Sequence, residues 1–194
     1  MSRVSVTIIA WNEEDRLKAC LESVGWADEI IVIDAESTDK TVQVAREFTD
    51  KIWVRPWPGF AAQKNFALEQ AGGEWILSLD ADERVTPELR SRIDAIVRTG
   101  GPADGYSIPR RNLFWGAWVR HGGLYPDYQL RLFRRGAGRF VDSAVHESPA
   151  SSIESGQSNP PSSTTVQTVP SGAKSRTSTS KAVPGPWFVT WIAK

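Results

Sequence analysis

Three times in its first 80 residues the chain runs through β-branched and aliphatic residues and then stops at acidic ones. Val4 to Ala10 leads into Asn12-Glu13-Glu14-Asp15, Glu29 to Ile33 ends at Asp34, and Glu74 to Leu79 ends at Asp80. Each run has the length and composition of a buried strand. Between them the apolar residues take helical spacing: Leu17, Cys20, Leu21 and Val24, then Val42, Val44, Ala45 and Phe48, then Phe60 to Ala71 closed by Gly72-Gly73. Lys51 to Arg55 supplies a further short strand. This alternation predicts an α/β fold with a doubly wound, mostly parallel sheet and a ligand site at the strand carboxyl ends. Asn12 is placed to cap the first helix, Ser37-Thr38-Asp39 to begin the second, and Thr86-Pro87-Glu88 to open a fourth with proline at its first position.

With 194 residues, the chain suits one substantial domain plus an appendage. Lys plus Arg and Asp plus Glu both total 23, which gives no polyanion-binding signature and predicts no nucleic-acid partner. The single cysteine, Cys20, falls on the apolar face of the first helix and reads as core in a reducing compartment. The amino terminus reads as a strand and not a signal peptide, and no segment approaches the roughly 20 apolar residues that span a bilayer. A cytoplasmic location is expected, with peripheral contact at the inner membrane left open.

From about Gly105 the texture changes. Tyr106 to Ile108 and Tyr128 to Phe133 read as extra strands, separated by an aromatic, glycine-rich loop that suits an acceptor-side wall or lid. After Glu147 the composition breaks, since 25 of the 39 residues from Ser148 to Pro186 are Ser, Thr, Pro or Gly. The domain reading is therefore a catalytic unit over 1–147 and a disordered tail over 148–194. Trp187 to Ile192 is aromatic but far too short to span, and reads as an interfacial anchor or an accident of the reading frame.

Asp80 and Asp82, spaced by one small residue after a strand, can present oxygens to a hard cation that also binds phosphate, so Mg²⁺ or Mn²⁺ is the expected ion. Thr86-Pro87 already supplies the cap of the next helix, which leaves the two carboxylates for other work. Asp34 should face the same crevice and accept hydrogen bonds from a nucleobase or ribose, the alternative being a helix cap. The turn after the first strand, Ala10-Trp11-Asn12-Glu13, lacks Gly-x-Gly-x-x-Gly and disfavours NAD. A nucleotidyltransferase is disfavoured too, because it would need a glycine-rich loop with a basic residue there.

Ile8-Ile9-Ala10-Trp11-Asn12-Glu13-Glu14, Val32-Ile33-Asp34 to Thr38-Asp39, Gln63-Lys64-Asn65 and Leu79-Asp80-Ala81-Asp82-Glu83 resemble, in order and spacing, the family 2 glycosyltransferases. Gly122-Gly123-Leu124-Tyr125-Pro126-Asp127-Tyr128-Gln129-Leu130-Arg131-Leu132-Phe133-Arg134 and Val145-His146-Glu147 are similar to bacterial enzymes that glycosylate the lipopolysaccharide core. The resemblance covers about residues 4 to 147. It implies the GT-A fold and inverting transfer from a nucleoside-diphosphate sugar, commonly UDP-glucose, to a glycan or glycolipid acceptor. It further implies that Ala10, Trp11, Glu13 and Asp34 line the nucleoside pocket, that Lys64 lies near the diphosphate, and that Asp80 and Asp82 reach ribose and metal.

An inverting transfer needs a base to take the acceptor proton, and Asp127, just before the strand Tyr128 to Phe133, is the candidate. Arg131 and Arg134 are candidates for a phosphate, but three apart in a strand they point to opposite faces, so at most one does so. His146, by resemblance alone, would complete the metal sphere or orient the acceptor. Family members continue past His146-Glu147 with further elements, whereas this chain turns into Ser148-Pro149-Ala150-Ser151-Ser152, which reads as a truncation or frameshift. Three functions follow: hexose transfer from a UDP-sugar to a lipopolysaccharide-core or other envelope glycan, transfer to a polyprenyl phosphate, or nucleotide-sugar binding without transfer.

Overall fold

The computed structural model describes residues 3–114, 117–118, 127–141, 165–167, 180–182 and 189–192, with side chains described over 3–110 and 128–141. The elements run β1 (Val4–Ala10), α1 (Glu14–Ser23), β2 (Glu29–Asp34), α2 (Thr41–Arg46), β3 (Ile52–Val54), α3 (Phe60–Gln70), β4 (Trp75–Asp80), β5 (Glu83–Val85), α4 (Pro87–Thr99), β6 (Gly105–Phe114), β7 (Ala117–Trp118), β8 (Asp127–Arg134), β9 (Arg139–Val141), β10 (Thr165–Gln167), β11 (Ser180–Ala182) and β12 (Val189–Ile192).

The main sheet has the order β3-β2-β1-β4-β8-β6-β12-β5. Its first four strands are parallel, as the βα alternation predicts, and β8 then adds antiparallel to both β4 and β6. Every residue of β1 and β2 is buried, the expected state of parallel strands covered on both faces. Alternation divides their side chains. Val6, Ile8, Ile30 and Val32 join Leu17, Cys20 and Leu21 of α1 and Leu89 and Ile93 of α4 in one core layer. Ile9, Ile31 and Ile33 join Ala61 and Ala67 of α3 with Phe133 and Phe140 in the other. The core face expected for Cys20 is thus observed. At Gly73 the chains approach so closely that a Cβ would lie 2.6 Å from Ser5 Oγ and 2.8 Å from Arg3 O.

Several boundaries differ from the sequence-based expectation. Asn12 does not cap α1; it takes φ of 53° and its Oδ1 accepts the Thr38 N–H at 2.9 Å, so it ties two loops together. The second helix begins at Thr41, because Asp39 Oδ1 accepts the Thr41 N–H at 2.9 Å and uses the preceding residues as a turn. Thr86 caps α4 as expected, with Leu89 N–H donating to its Oγ1 at 3.2 Å. A short strand, β5, intervenes before it. Within the segment expected to be disordered, β10 pairs with β9, and β11 and β12 pair with β6. Its other residues lie outside those described. Among the described residues no helix is long and apolar enough to cross a membrane.

Candidate active site

The carboxyl ends of β1, β2 and β4 border a cavity of about 620 Å³, a size suited to a small-molecule ligand. Ala10, Trp11 and Glu13 line it from the turn after β1, Asp80, Ala81 and Asp82 from the turn after β4. The loops after β1 and β2 are bound to one another: Asn12 N–H donates to Ser37 Oγ at 2.8 Å and Glu13 N–H to Thr41 Oγ1 at 2.7 Å. Five of the residues named as substrate or metal contacts therefore converge on one space.

Asp34 sits differently. It is fully buried, and its carboxylate accepts the Ser37 N–H at 2.8 Å and the Ser37 hydroxyl at 2.5 Å. Its neighbours Ala35 and Glu36 line the cavity instead. The positive φ of Glu36, 54°, turns the chain back over the buried aspartate.

Lys64 is no solvated helix lysine. It is 6% exposed, with Nζ at 2.8 Å from Asp80 Oδ1 and 5.5 Å from the centre of the Phe140 ring. The other oxygen of Asp80 accepts from Arg131 Nη2 at 2.8 Å. Arg131 also donates to Glu83, whose second oxygen takes the Asp80 N–H at 3.0 Å. Glu83 thus closes the Asp80-Ala81-Asp82-Glu83 turn from inside. Burial pushes the Asp80 carboxyl up, but the Arg131 and Lys64 charges outweigh it and hold the group well below the usual carboxylate range. Burial raises Glu83 to about 7 against the opposing Arg131 charge. Beneath the turn, Cys20 Sγ lies 3.7 Å from Asp80 O, and burial raises its thiol well above the ordinary range, so it is packing and not chemistry.

A backbone irregularity aims Arg131. In the β6–β8 ladder Tyr106 faces Leu132 and Ser107 faces Leu130, so Arg131 is the extra residue of a β-bulge. The β4–β8 ladder pairs Leu77 with Leu132 as its last couple on that side. Arg134, three residues on, stacks over Trp75 at 4.5 Å and pairs with Glu74 at 2.5 Å. Of the two arginines, Arg131 reaches the Asp80 turn and Arg134 fastens the far end of the sheet.

Among the described residues no group of three or more His, Cys, Asp or Glu side chains is arranged to hold a metal ion. Asp82 lines the cavity, and Asp80 beside it has each carboxylate oxygen already accepting from Lys64 or Arg131, which leaves one lone pair on each for a Mg²⁺-type ion that takes its other positions from phosphate oxygens and water. His146 lies outside the described residues, as does the Asp127 side chain. The Asp127 backbone opens β8, opposite Arg110. Sequence reasoning missed Glu83, whose signal was a charged residue directly after the second aspartate. It also missed Trp57 and Phe60 at the cavity wall, whose signal was an aromatic pair set among Pro56, Pro58 and Gly59.

Residues 5–148 match the family model for glycosyl transferase family 2. The chain belongs to this family. Over 150 residues it is 35% identical to the lipopolysaccharide core biosynthesis glycosyltransferase LpsC of Rhizobium meliloti (strain 1021), covering 74% of this chain and 56% of LpsC. It is 33% identical over 152 residues to the SPbeta prophage-derived glycosyltransferase SunS of Bacillus subtilis (strain 168), covering 75% of this chain and 34% of SunS. The chain spans only part of the length of these curated relatives. Among solved structures, S. aureus TarS 1-349 in complex with UDP-GlcNAc superposes with a TM-score of 0.54 at 22% identity, covering 70% of this chain and 46% of that one. This family 2 chain thus shares the fold expected from its sequence, and the Asp80 turn lies inside the matched region.

Proposed function

We propose that this family 2 chain takes a UDP-sugar as donor and transfers its hexose, with inversion, to a lipopolysaccharide-core or other envelope glycan at the cytoplasmic membrane face. The observation that carries this reading is the cavity at the parallel strand ends, walled by Asp80-Ala81-Asp82 with Lys64 and Arg131 focused on Asp80. LpsC, a relative named for lipopolysaccharide core biosynthesis, supports the acceptor class, and the complex of TarS with UDP-GlcNAc supports the donor class.

In this reading Ala10, Trp11 and Glu13 form the nucleoside side of the cavity, and Asp34 acts from beneath by holding the Ala35-Glu36 turn in shape. Asp82, with Asp80, would hold a divalent cation, which when bound supplies charge neutralisation for the diphosphate. His146 is proposed as a further ligand on resemblance alone. Lys64 serves as the diphosphate's partner from within the chain, exchanging part of its contact with Asp80 for a phosphate oxygen. Arg131 keeps Asp80 ionised throughout. Asp127 takes the proton of the acceptor hydroxyl as that oxygen attacks the anomeric carbon; the bond to the diphosphate oxygen breaks, and UDP departs with the electron pair.

The test incubates the purified chain with Mn²⁺ and a panel of UDP-sugars and measures UDP release with and without lipid-linked acceptors. Acceptor-stimulated release from one donor is expected. Binding of UDP without release from any donor would replace transfer by nucleotide-sugar binding, and absence of both would remove the donor assignment.

A further inference from the structure

We propose that β12 (Val189–Ile192) is a positioning strand, which ties the Asp80-Ala81-Asp82 turn to the strand of the candidate base and so holds Asp82 in place for the donor. This rests on the nucleotide-sugar reading and adds to it an element from the tail. One row of partners crosses the sheet: Val85 of β5 pairs with Val189, Val189 with Arg110 of β6, and Arg110 with Asp127 of β8. β12 lies beyond residue 148, where the family match ends, so this bridge is not part of the matched domain.

Among the described residues, β12 is the strand that joins β5 to the sheet. β5 has three residues and stands last in the order β6-β12-β5, and so short a strand has little stability without a neighbour. Its far end is held by α1, where Ser23 Oγ accepts the Val85 N–H at 3.0 Å. Its near end starts at Glu83, directly after Asp82, and there the partner is Trp191 of β12. The β12 ladder thus fixes where the turn presents Asp82. On its other side β12 pairs with Arg110 to Leu113 of β6, and β6 pairs in turn with β8, the strand of Arg131. Because Arg131 Nη2 reaches Asp80 Oδ2 at 2.8 Å, the path from the turn through β5, β12, β6 and β8 closes on the turn itself. Shifting β5 must break either a ladder or the contact at Asp80.

The experiment measures backbone hydrogen exchange and UDP binding in the full chain, comparing wild type with T190P and T190A. Thr190 pairs with Arg84 on one side and Arg111 on the other, so proline there removes a ladder bond whichever way its N–H points, while alanine keeps the backbone intact. In T190P, exchange across residues 83–85 should speed up while β1 and β2 stay protected. UDP affinity in Mn²⁺ should fall roughly tenfold, the size of losing a support behind a metal ligand. UDP affinity in EDTA should stay as in wild type, as should exchange and binding in T190A. Unchanged exchange at 83–85 with unchanged affinity in Mn²⁺ would overturn the proposal and leave the nucleotide-sugar reading intact. An equal loss in T190A would overturn it too, because the ladder would then not be the cause. If T190P also loses protection in β1 and β2, the wild-type chain decides: slower exchange at 189–192 on adding Mn²⁺ and UDP supports the bridge, and no change there overturns it. A wild-type chain that binds no UDP would overturn both readings.

Discussion

Asp80 and Arg131 lie 51 residues apart in the chain, yet the guanidinium meets the carboxylate at 2.8 Å exactly where β8 bulges. The contact joins the turn after β4 to a strand that enters the sheet from the other direction. It also sets the electrostatics of the site, because the Arg131 and Lys64 charges together hold the Asp80 carboxyl low against the opposing effect of burial.

Replacing Arg131 with methionine should therefore be costly. Glu83 would remain fully buried without its cation while Asp80 keeps Lys64, and breaking a buried pair from one side costs about 3–5 kcal/mol. A chemical denaturation midpoint measured beside wild type checks this. A variant as stable as wild type would mean that the guanidinium contributes nothing net.

Asp82→Asn should behave in the opposite way. The side chain lines the cavity and does not belong to the core, so the melt should shift little. Divalent-cation-dependent UDP binding should fall by at least about tenfold, the loss of one good charge-assisted contact. Calorimetry with UDP, with and without Mn²⁺, separates the two effects. A collapsed melt would make Asp82 structural.

Stability should decline in acid partly through Glu29. Its side chain is 3% exposed; burial pushes its pKa up, but hydrogen bonds from Lys51, Ser5 and the Gly72 N–H win and lower it from 4.5 to about 2. Because the folded value is the depressed one, this stabilisation is complete above the unfolded pKa of 4.5 and is lost as pH falls toward 2. The loss amounts to roughly 2–3 kcal/mol. Glu29→Gln should flatten the stability profile in that window and lower stability at neutral pH.

Asn65 clamps α3 to β9 through both faces of one amide: Nδ2 donates to Phe140 O at 2.8 Å, and Oδ1 accepts the Phe140 N–H at 2.9 Å. Asn65→Ala strands two buried backbone groups and should cost about 2–4 kcal/mol, read as a lower denaturation midpoint. Since the same helix carries Lys64, UDP affinity should fall with it.

Much of the scaffold was readable from local pattern. The apolar runs of β1, β2 and β4, the proline-led start of α4 and the core face around Cys20 follow from periodicity and capping chemistry, which act over a few residues. Asn12 was misread as a helix cap because its true partner, Thr38, comes from another loop. Asp34 was placed at the right strand end, yet its carboxylate is satisfied by Ser37 three residues later, a choice between local turn and ligand that strand pattern does not decide.

By itself, then, the sequence determined a parallel βα sheet whose strand ends carry carboxylates, since side-chain alternation and strand-to-helix turns are properties of short segments. Only the tertiary structure decided which charges those carboxylates meet. Lys64 comes from a helix packed over the sheet, Arg131 from an antiparallel strand and Glu83 from inside the turn, and their meeting with Asp80 depends on packing and on a one-residue bulge. Long-range pairing of this kind carries no local signature, because it arises only when distant segments share one buried space.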